Sequence, residues 1–179
     1  MAALASHLDR VGAIAKALTD LGLEPVLVGG MALVILGSRR VTRDFDFVVR
    51  EPGDRLQRLL DVFYERRLQL AARVNDDGDV TSTIDNPKVA VARLRLDAPS
   101  SAYFYDIDSG LRVDLLFDFP IPAADLARRA TPTKVRSHVL LVASAADLLR
   151  LKKIARGSRS SARDDQDIAF LEKRRGKRR

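Results

Sequence analysis

Asp44 and Asp46 are separated by one residue in the stretch Arg43-Asp44-Phe45-Asp46-Phe47-Val48-Val49. Charged and apolar side chains alternate here, which predicts a strand from Arg43 to Val49. Residues two apart in a strand share a face, so both carboxylates project together while Phe45 and Phe47 turn into a core. Two carboxylates about 7 Å apart, two rises of ~3.3 Å, repel one another unless a cation lies between them. The pair therefore points to a metal. The chain has no cysteine and only two histidines, His7 and His138, which excludes disulfides, thiolate catalysis, cysteine-ligated zinc and a histidine-rich centre. A metal must sit on carboxylates, which favours magnesium or manganese.

Completing a two-metal clamp needs a third carboxylate, and Arg112-Val113-Asp114-Leu115-Leu116 offers Asp114 on a second strand. The competing role for Asp114 is an ion pair with Arg112, on the same strand face. Asp118, near that strand's end, is the alternative third carboxylate. Asp106 and Asp108 form another Asp-x-Asp pair beside Gly110, where aspartate usually serves the turn itself. Gly29-Gly30 lies between an expected strand and an expected helix, where backbone amides can approach phosphate oxygens without a Cβ in the way. Arg39, Arg40 and Arg43 lie just before the metal strand and are candidates to neutralise pyrophosphate.

Several elements must position these residues. Ala5 to Leu21 has helical spacing and ends at Gly22. Pro25 to Val28 reads as a short buried strand, Met31 to Leu36 as a short buried helix, and Asp54 to Arg67 as an amphipathic segment. Leu68 to Val74 and Val89 to Leu96 read as strands, separated by polar, turn-rich sequence from Asn75 to Pro87. Ala102 to Ile107 and Leu111 to Phe117 flank a hairpin-type turn at Asp108-Ser109-Gly110. After Pro120-Ile121-Pro122 breaks the sheet, Val139 to Val142 forms a last strand. A helix then starts at Ser144, with Asp147 at capping-box-like spacing, and runs to about Arg156. Gly157 to Ala162 reads as a loop and Asp164 to Arg174 as the final helix. The expected fold is α/β (α+β): a mixed sheet flanked by helices, with a C-terminal helical pair. The expected division is a catalytic core at 1–142, a helical extension at 143–174 and a basic tail at 175–179.

The length of 179 residues suits one domain with a helical annex, and 46% hydrophobic with 31% charged residues excludes a disordered chain. No apolar run approaches the ~20 residues that span a bilayer, and the start lacks a signal-peptide pattern, so a cytoplasmic protein without a membrane partner is expected. The formal charge of +7 suits a polyanionic partner such as RNA, or a triphosphate-handling surface. Six of the last eight residues are Lys or Arg, a tail able to contact phosphates.

Together, Gly-Gly-x-Ala at 29–32, Arg-x-Thr-x-Asp-x-Asp at 40–46 and Val-Asp-Leu at 113–115 resemble the nucleotidyltransferases of the DNA polymerase β-like superfamily. The sequence looks most like the minimal bacterial group that includes the AbiEii-type toxins of toxin–antitoxin systems. The resemblance spans about Val26 to Leu116 and, more loosely, the C-terminal helices. It implies that Gly29 and Gly30 hold a nucleoside triphosphate, that Asp44 and Asp46 bind the metals, and that Asp114 completes the site as a base or metal ligand. Many relatives have Gly-Ser where this chain has Gly-Gly, so backbone amides must do more of the phosphate binding here. Thr42 also fits the pattern, and its hydroxyl is placed to orient Asp44. Leu148-Leu149-x-Leu151-Lys152 and Arg163-Asp164-x-x-Asp167-Ile168 are similar to the helical tail of the same group. They place Lys152 within reach of the triphosphate and add Asp164 to the nucleotide-binding set. The alternative for Asp164 and Asp167 is an ion pair with Lys152 or Arg156 that joins the two helices.

The implied reaction moves a nucleoside monophosphate to an acceptor hydroxyl with release of pyrophosphate. RNA or tRNA is the expected acceptor, and a cognate antitoxin the expected protein partner. The alternatives are a small antibiotic-type acceptor, which calls for an acidic pocket, or a non-catalytic, antitoxin-like binding protein.

Overall fold

The computed structural model describes residues 2–158 and 162–176. Helix α1 (Ala2–Asp20) ends in a turn at Gly22, whose φ of +72° glycine adopts without penalty. Strand β1 (Val26–Val28) runs directly into helix α2 (Gly29–Ile35), so the expected helix begins two residues early, at the first glycine. Strand β2 (Asp44–Val49) follows, then helix α3 (Leu56–Tyr64), strand β3 (Gln69–Val74) and strand β4 (Val80–Ile84).

Helix α4 (Pro87–Asp97) corrects one expectation, since it contains the segment Val89 to Leu96 that reads as a strand. Asn86 decides the matter: its side chain accepts from Lys88 N and Val89 N, and Pro87 occupies the first turn, where its missing N–H costs nothing. A second correction is that the turn-rich stretch Asn75 to Pro87 holds strand β4. Its backbone pairs antiparallel with β3 even though its middle residues, Thr81 to Thr83, are polar and none of its side chains is buried.

Strands β5 (Ser101–Tyr105) and β6 (Arg112–Phe117) form the expected hairpin. Helix α5 (Ala123–Ala127) and strand β7 (Thr131–Val135) had no sequence signal strong enough to expect them. Strand β8 (His138–Val142) leads to helices α6 (Ala145–Ser158) and α7 (Ala162–Gly176), the C-terminal pair. Of the expected loop and tail, residues 159–161 and 177–179 lie outside the described residues, while 175 and 176 belong to α7.

The eight strands form one mixed sheet in the order β4-β3-β5-β6-β2-β1-β8-β7. β2 runs parallel to β6 and antiparallel to β1, so three segments distant in sequence meet at the sheet's centre. Phe104 of β5 stacks on Phe63 of α3 with ring centroids 3.8 Å apart, which marks the helix-covered face. Phe45, Phe47, Val113 and Leu115 point the same way and are fully buried in one continuous core. Strand alternation then puts Asp44, Asp46, Arg112, Asp114, Tyr103 and Tyr105 on the opposite face.

Candidate active site

The parallel pairing of β2 with β6 places Asp46 beside Asp114 and Asp44 beside Arg112. The antiparallel pairing of β1 with β2 sets Val28 opposite Asp46, which carries the next residue, Gly29, over the Asp46 carboxylate. A Cβ added to Gly29 would lie 2.0 Å from Asp46 Oδ2, and Gly29 has φ +64°, so two separate constraints demand glycine. At Gly30 a Cβ would lie 2.9 Å from Arg40 Cζ and 3.0 Å from Thr42 Oγ1. The space a serine would take in a Gly-Ser relative is filled here by the Arg40 guanidinium and the Thr42 hydroxyl.

Burial is the main cause that raises the pKa of Asp46, and the charge of Asp44 adds to it against the pull of Lys152, Arg112 and Arg40. Asp114 is pushed up to about 7, again chiefly by burial, with Asp46 and Asp44 adding and the Arg112 hydrogen bonds opposing. Arg112 grips Asp114 bidentately, Nε to Oδ1 at 2.7 Å and a terminal nitrogen to Oδ2 at 2.8 Å. Its other terminal nitrogen donates to the Gly78 carbonyl at 2.7 Å, and its guanidinium lies 4.8 Å from the Tyr103 ring centroid. Among the described residues no three carboxylates are gathered into a metal cage, and Asp114 gives both oxygens to Arg112.

Asp44 is exposed at the start of β2, and no hydrogen bond or ion pair holds its side chain or that of Asp46 among the described residues. An all-oxygen pair whose charge is costly and whose lone pairs are uncommitted fits a hard divalent cation. Asp118, the alternative third carboxylate, serves the strand end: it accepts from Glu51 N at 2.9 Å and Ala123 N at 2.8 Å. Asp106 likewise accepts from Ser109, Arg10 and Asp108 N around its own turn.

The C-terminal helices reach the site through a buried charge network. Lys152 Nζ lies 2.8 Å from both Asp164 Oδ1 and Asp167 Oδ2, and Arg40 donates to Asp167 Oδ2 at 2.5 Å. The ion pairing of Lys152 is therefore present, and Lys152 is also near enough to Asp46 to act on its ionisation. Arg156 pairs with Asp165 instead. Arg39 and Arg43 are exposed, so of the three arginines before β2 it is Arg40 that meets the glycine turn. Thr42 Oγ1 packs against Gly30, and among the described residues no hydrogen bond joins it to Asp44. The sequence reading left Tyr103 out. Its signal was the alternation of β5 beside a strand carrying Arg112 and Asp114.

The family description nucleotidyl transferase AbiEii toxin, of type IV toxin–antitoxin systems, matches residues 15–178. The chain belongs to the AbiEii nucleotidyltransferase family. Its fold is similar to that of the antibiotic-resistance factor ANT(2'')-Ia, with a TM-score of 0.55 at 10% identity over 93% of this chain and 82% of that one. It is also similar to an antigenic nucleotidyltransferase-like protein from Paracoccidioides brasiliensis, with a TM-score of 0.56 at 16% identity over 92% and 74%. No curated protein gives a significant match. As an AbiEii-family member the chain is a nucleotidyltransferase of a toxin family of type IV toxin–antitoxin systems. Among the described residues no helix is long and apolar enough to cross a membrane.

Proposed function

We propose that the chain transfers a nucleoside monophosphate from a nucleoside triphosphate to a hydroxyl of an RNA, tRNA being the leading acceptor, at Asp44, Asp46 and Asp114. The observation that carries this reading is the register of Asp46 beside Asp114 with Gly29 packed on the Asp46 carboxylate. It brings a phosphate-permissive turn and two neighbouring carboxylates to one point.

Asp44 and Asp46 would hold magnesium or manganese, which when bound neutralises triphosphate charge and lowers the pKa of the attacking hydroxyl. Gly29 and Gly30 let backbone amides approach the phosphates without side-chain interference. Asp114, with a pKa near 7, is suited to accept the acceptor hydroxyl's proton at neutral pH. The acceptor oxygen bonds to the α-phosphorus while the α–β bridging bond breaks, and pyrophosphate departs. Lys152 and Arg40, both anchored on Asp167, place positive charge beside the turn for the leaving group. Arg39 and Arg43, exposed on the same loop, add long-range attraction for the triphosphate.

A second reading, a small cationic acceptor, draws on the acidic turn Asn75-Asp76-Asp77-Gly78-Asp79, whose Gly78 carbonyl touches Arg112. The deciding experiment incubates the protein with total bacterial RNA, magnesium and each α-labelled nucleoside triphosphate in turn, with Asp46→Asn as control. Label in a tRNA-sized band that vanishes in the variant supports RNA transfer and names the nucleotide. Triphosphate binding without labelled RNA sinks it and favours the small acceptor.

A further inference from the structure

The β3–β4 hairpin does not stay in the plane of the sheet. β3 pairs with β5 only through Gln69 with Tyr105 and Leu70 with Phe104, and beyond Ala71 its ladder to β4 is broken by two register shifts. In a flat sheet the hairpin tip would lie at least five rises, about 17 Å, past the level of Arg112, which is in register with Tyr105. The tip nevertheless reaches Arg112, with the Gly78 carbonyl 2.7 Å from the guanidinium. Irregularities of this kind bend strands, and the two shifts bring the hairpin tip back to the face that carries Arg112 and the acidic residues.

On the face that this arm reaches stand Tyr103 and Tyr105, both partly exposed, with Tyr103 in register with Asp114 and Tyr105 with Arg112. Adjacent strands are ~4.8 Å apart, so a ring-sized group on Tyr103 stands one strand away from Asp114 and two from Asp46. We propose that Tyr103, Tyr105 and Arg112 form the acceptor subsite and receive the unpaired terminal nucleotide of an RNA, its base stacked on this aromatic and guanidinium surface. The inference rests on the nucleotidyl-transfer reading above. Aromatic rings and arginine planes are what unpaired bases stack on, and here the Arg112 guanidinium already lies 4.8 Å from the Tyr103 ring centroid.

Charge fits the same occupant. The chain carries a formal +7, and Arg43 before β2 and Arg73 on the arm are exposed. Asp76, Asp77 and Asp79 are exposed at the arm's tip and would repel a duplex laid along it. A single terminal nucleotide presents mainly its base there. In this structure Arg112 is shared between Asp114, Gly78 and Tyr103, so an arriving nucleotide meets a guanidinium already oriented by the group that would take its hydroxyl proton.

The test uses the full chain with magnesium, a single-stranded RNA oligonucleotide bearing a free 3′ hydroxyl and a 5′ fluorophore, and a fluorescent nucleoside triphosphate read in parallel. Tyr103→Ala and Tyr105→Ala are expected to weaken oligonucleotide binding by roughly 5- to 150-fold, the range for removing one base–aromatic stack, with triphosphate affinity unchanged. Tyr103→Phe, which keeps the ring, is expected to restore most of the RNA affinity. Where thermal melting shows Tyr103→Ala to be unfolded, Tyr105→Ala decides alone. RNA affinity equal to wild type in the folded alanine variants overturns the subsite and leaves RNA transfer standing. A wild-type protein that binds triphosphate but no oligonucleotide, and labels a small cationic polyol instead, overturns both.

Discussion

Gly29 and Asp46 are packed so closely that a methyl group on the glycine would stand 2.0 Å from a carboxylate oxygen of the aspartate. Gly29→Ala must therefore displace Asp46 and also hold alanine at φ +64°, a conformation that costs it about 1 kcal/mol or more. Transfer activity is expected to be lost and thermal stability to fall. The three atoms nearest a Cβ on Gly30 belong to the Arg40 and Thr42 side chains, at 2.9 to 3.0 Å, and a small shift of their ends leaves the Arg40 pair with Asp167 in place. The expected effect of Gly30→Ala is a weaker triphosphate affinity with a near-native melting temperature. Equal damage from the two substitutions would count against the different roles given to the two glycines.

Asp114 and Asp46 give the metal-free protein an unusual pH profile. Burial first, then neighbouring carboxylates, holds Asp114 near 7 in the folded chain, above its ordinary 3.8, and Asp46 is raised for the same reasons. The folded state keeps protons that the unfolded state releases, so this contribution is intact below the unfolded pKa and is lost as pH rises toward 7. Asp106 and Asp147 act in the opposite sense. Burial pushes them up, but hydrogen bonds from Ser109 and Arg10, and from Arg129 and Ser144, outweigh it and lower both. Their contribution is present above the ordinary carboxylate pKa and lost in acid. Melting curves without metal should peak at roughly pH 4, near the ordinary carboxylate pKa where both contributions are largely intact, and Asp114→Asn should flatten the fall toward neutral pH while leaving the acid side unchanged. Magnesium binding should release protons and tighten with rising pH.

The pairing of Asp44 with Asp46 was legible because a two-residue period survives in a strand whatever lies beside it. The register of Asp46 with Asp114 was not, since nothing local states which strand neighbours which across 67 intervening positions. Helix α4 misleads through Val89-Ala90-Val91-Ala92-Arg93-Leu94-Arg95-Leu96, which alternates as a strand should, while its helical start lies in Asn86-Pro87 just before it. β4 is polar from Thr81 to Thr83 and lies in an arm at the sheet's edge with no buried side chain, so no burial pattern marks it. Arg39, Arg40 and Arg43 could not be ranked from sequence. Only the packing of α7 and its Asp167 against the loop distinguishes Arg40.

That packing makes Asp167 the fastening of the C-terminal helices. Its carboxylate is buried and takes both Lys152 and Arg40, whose side chains are 15% and 22% exposed. Asp167→Ala leaves two largely buried cations competing for what remains, and only Lys152 retains Asp164. Breaking a buried pair by removing one partner costs about 3–5 kcal/mol, and the lower end applies where a second carboxylate remains. Urea denaturation should show that loss, with hydrogen exchange rising in α6 and α7 before the central strands. A triphosphate affinity that falls along with it would tie Lys152 and Arg40 to the leaving group. An unchanged affinity would leave the network structural.

Asp46→Asn separates catalysis from folding. In the metal-free protein the Asp46 carboxylate is disfavoured by burial and by Asp44, and among the described residues nothing hydrogen-bonds to it. The amide has nearly the same shape and no charge, so it removes a repulsion and creates no cavity. At pH 8 without metal, the variant is expected to melt at least as high as the wild type and by a few degrees higher if the full repulsion is relieved. Added magnesium should stabilise the wild type, because ligands that bind only the folded state do so in proportion to occupancy, and should leave the variant unmoved. A magnesium-dependent rise in the variant equal to that of the wild type would place the ion away from Asp46, whatever the transfer assay shows.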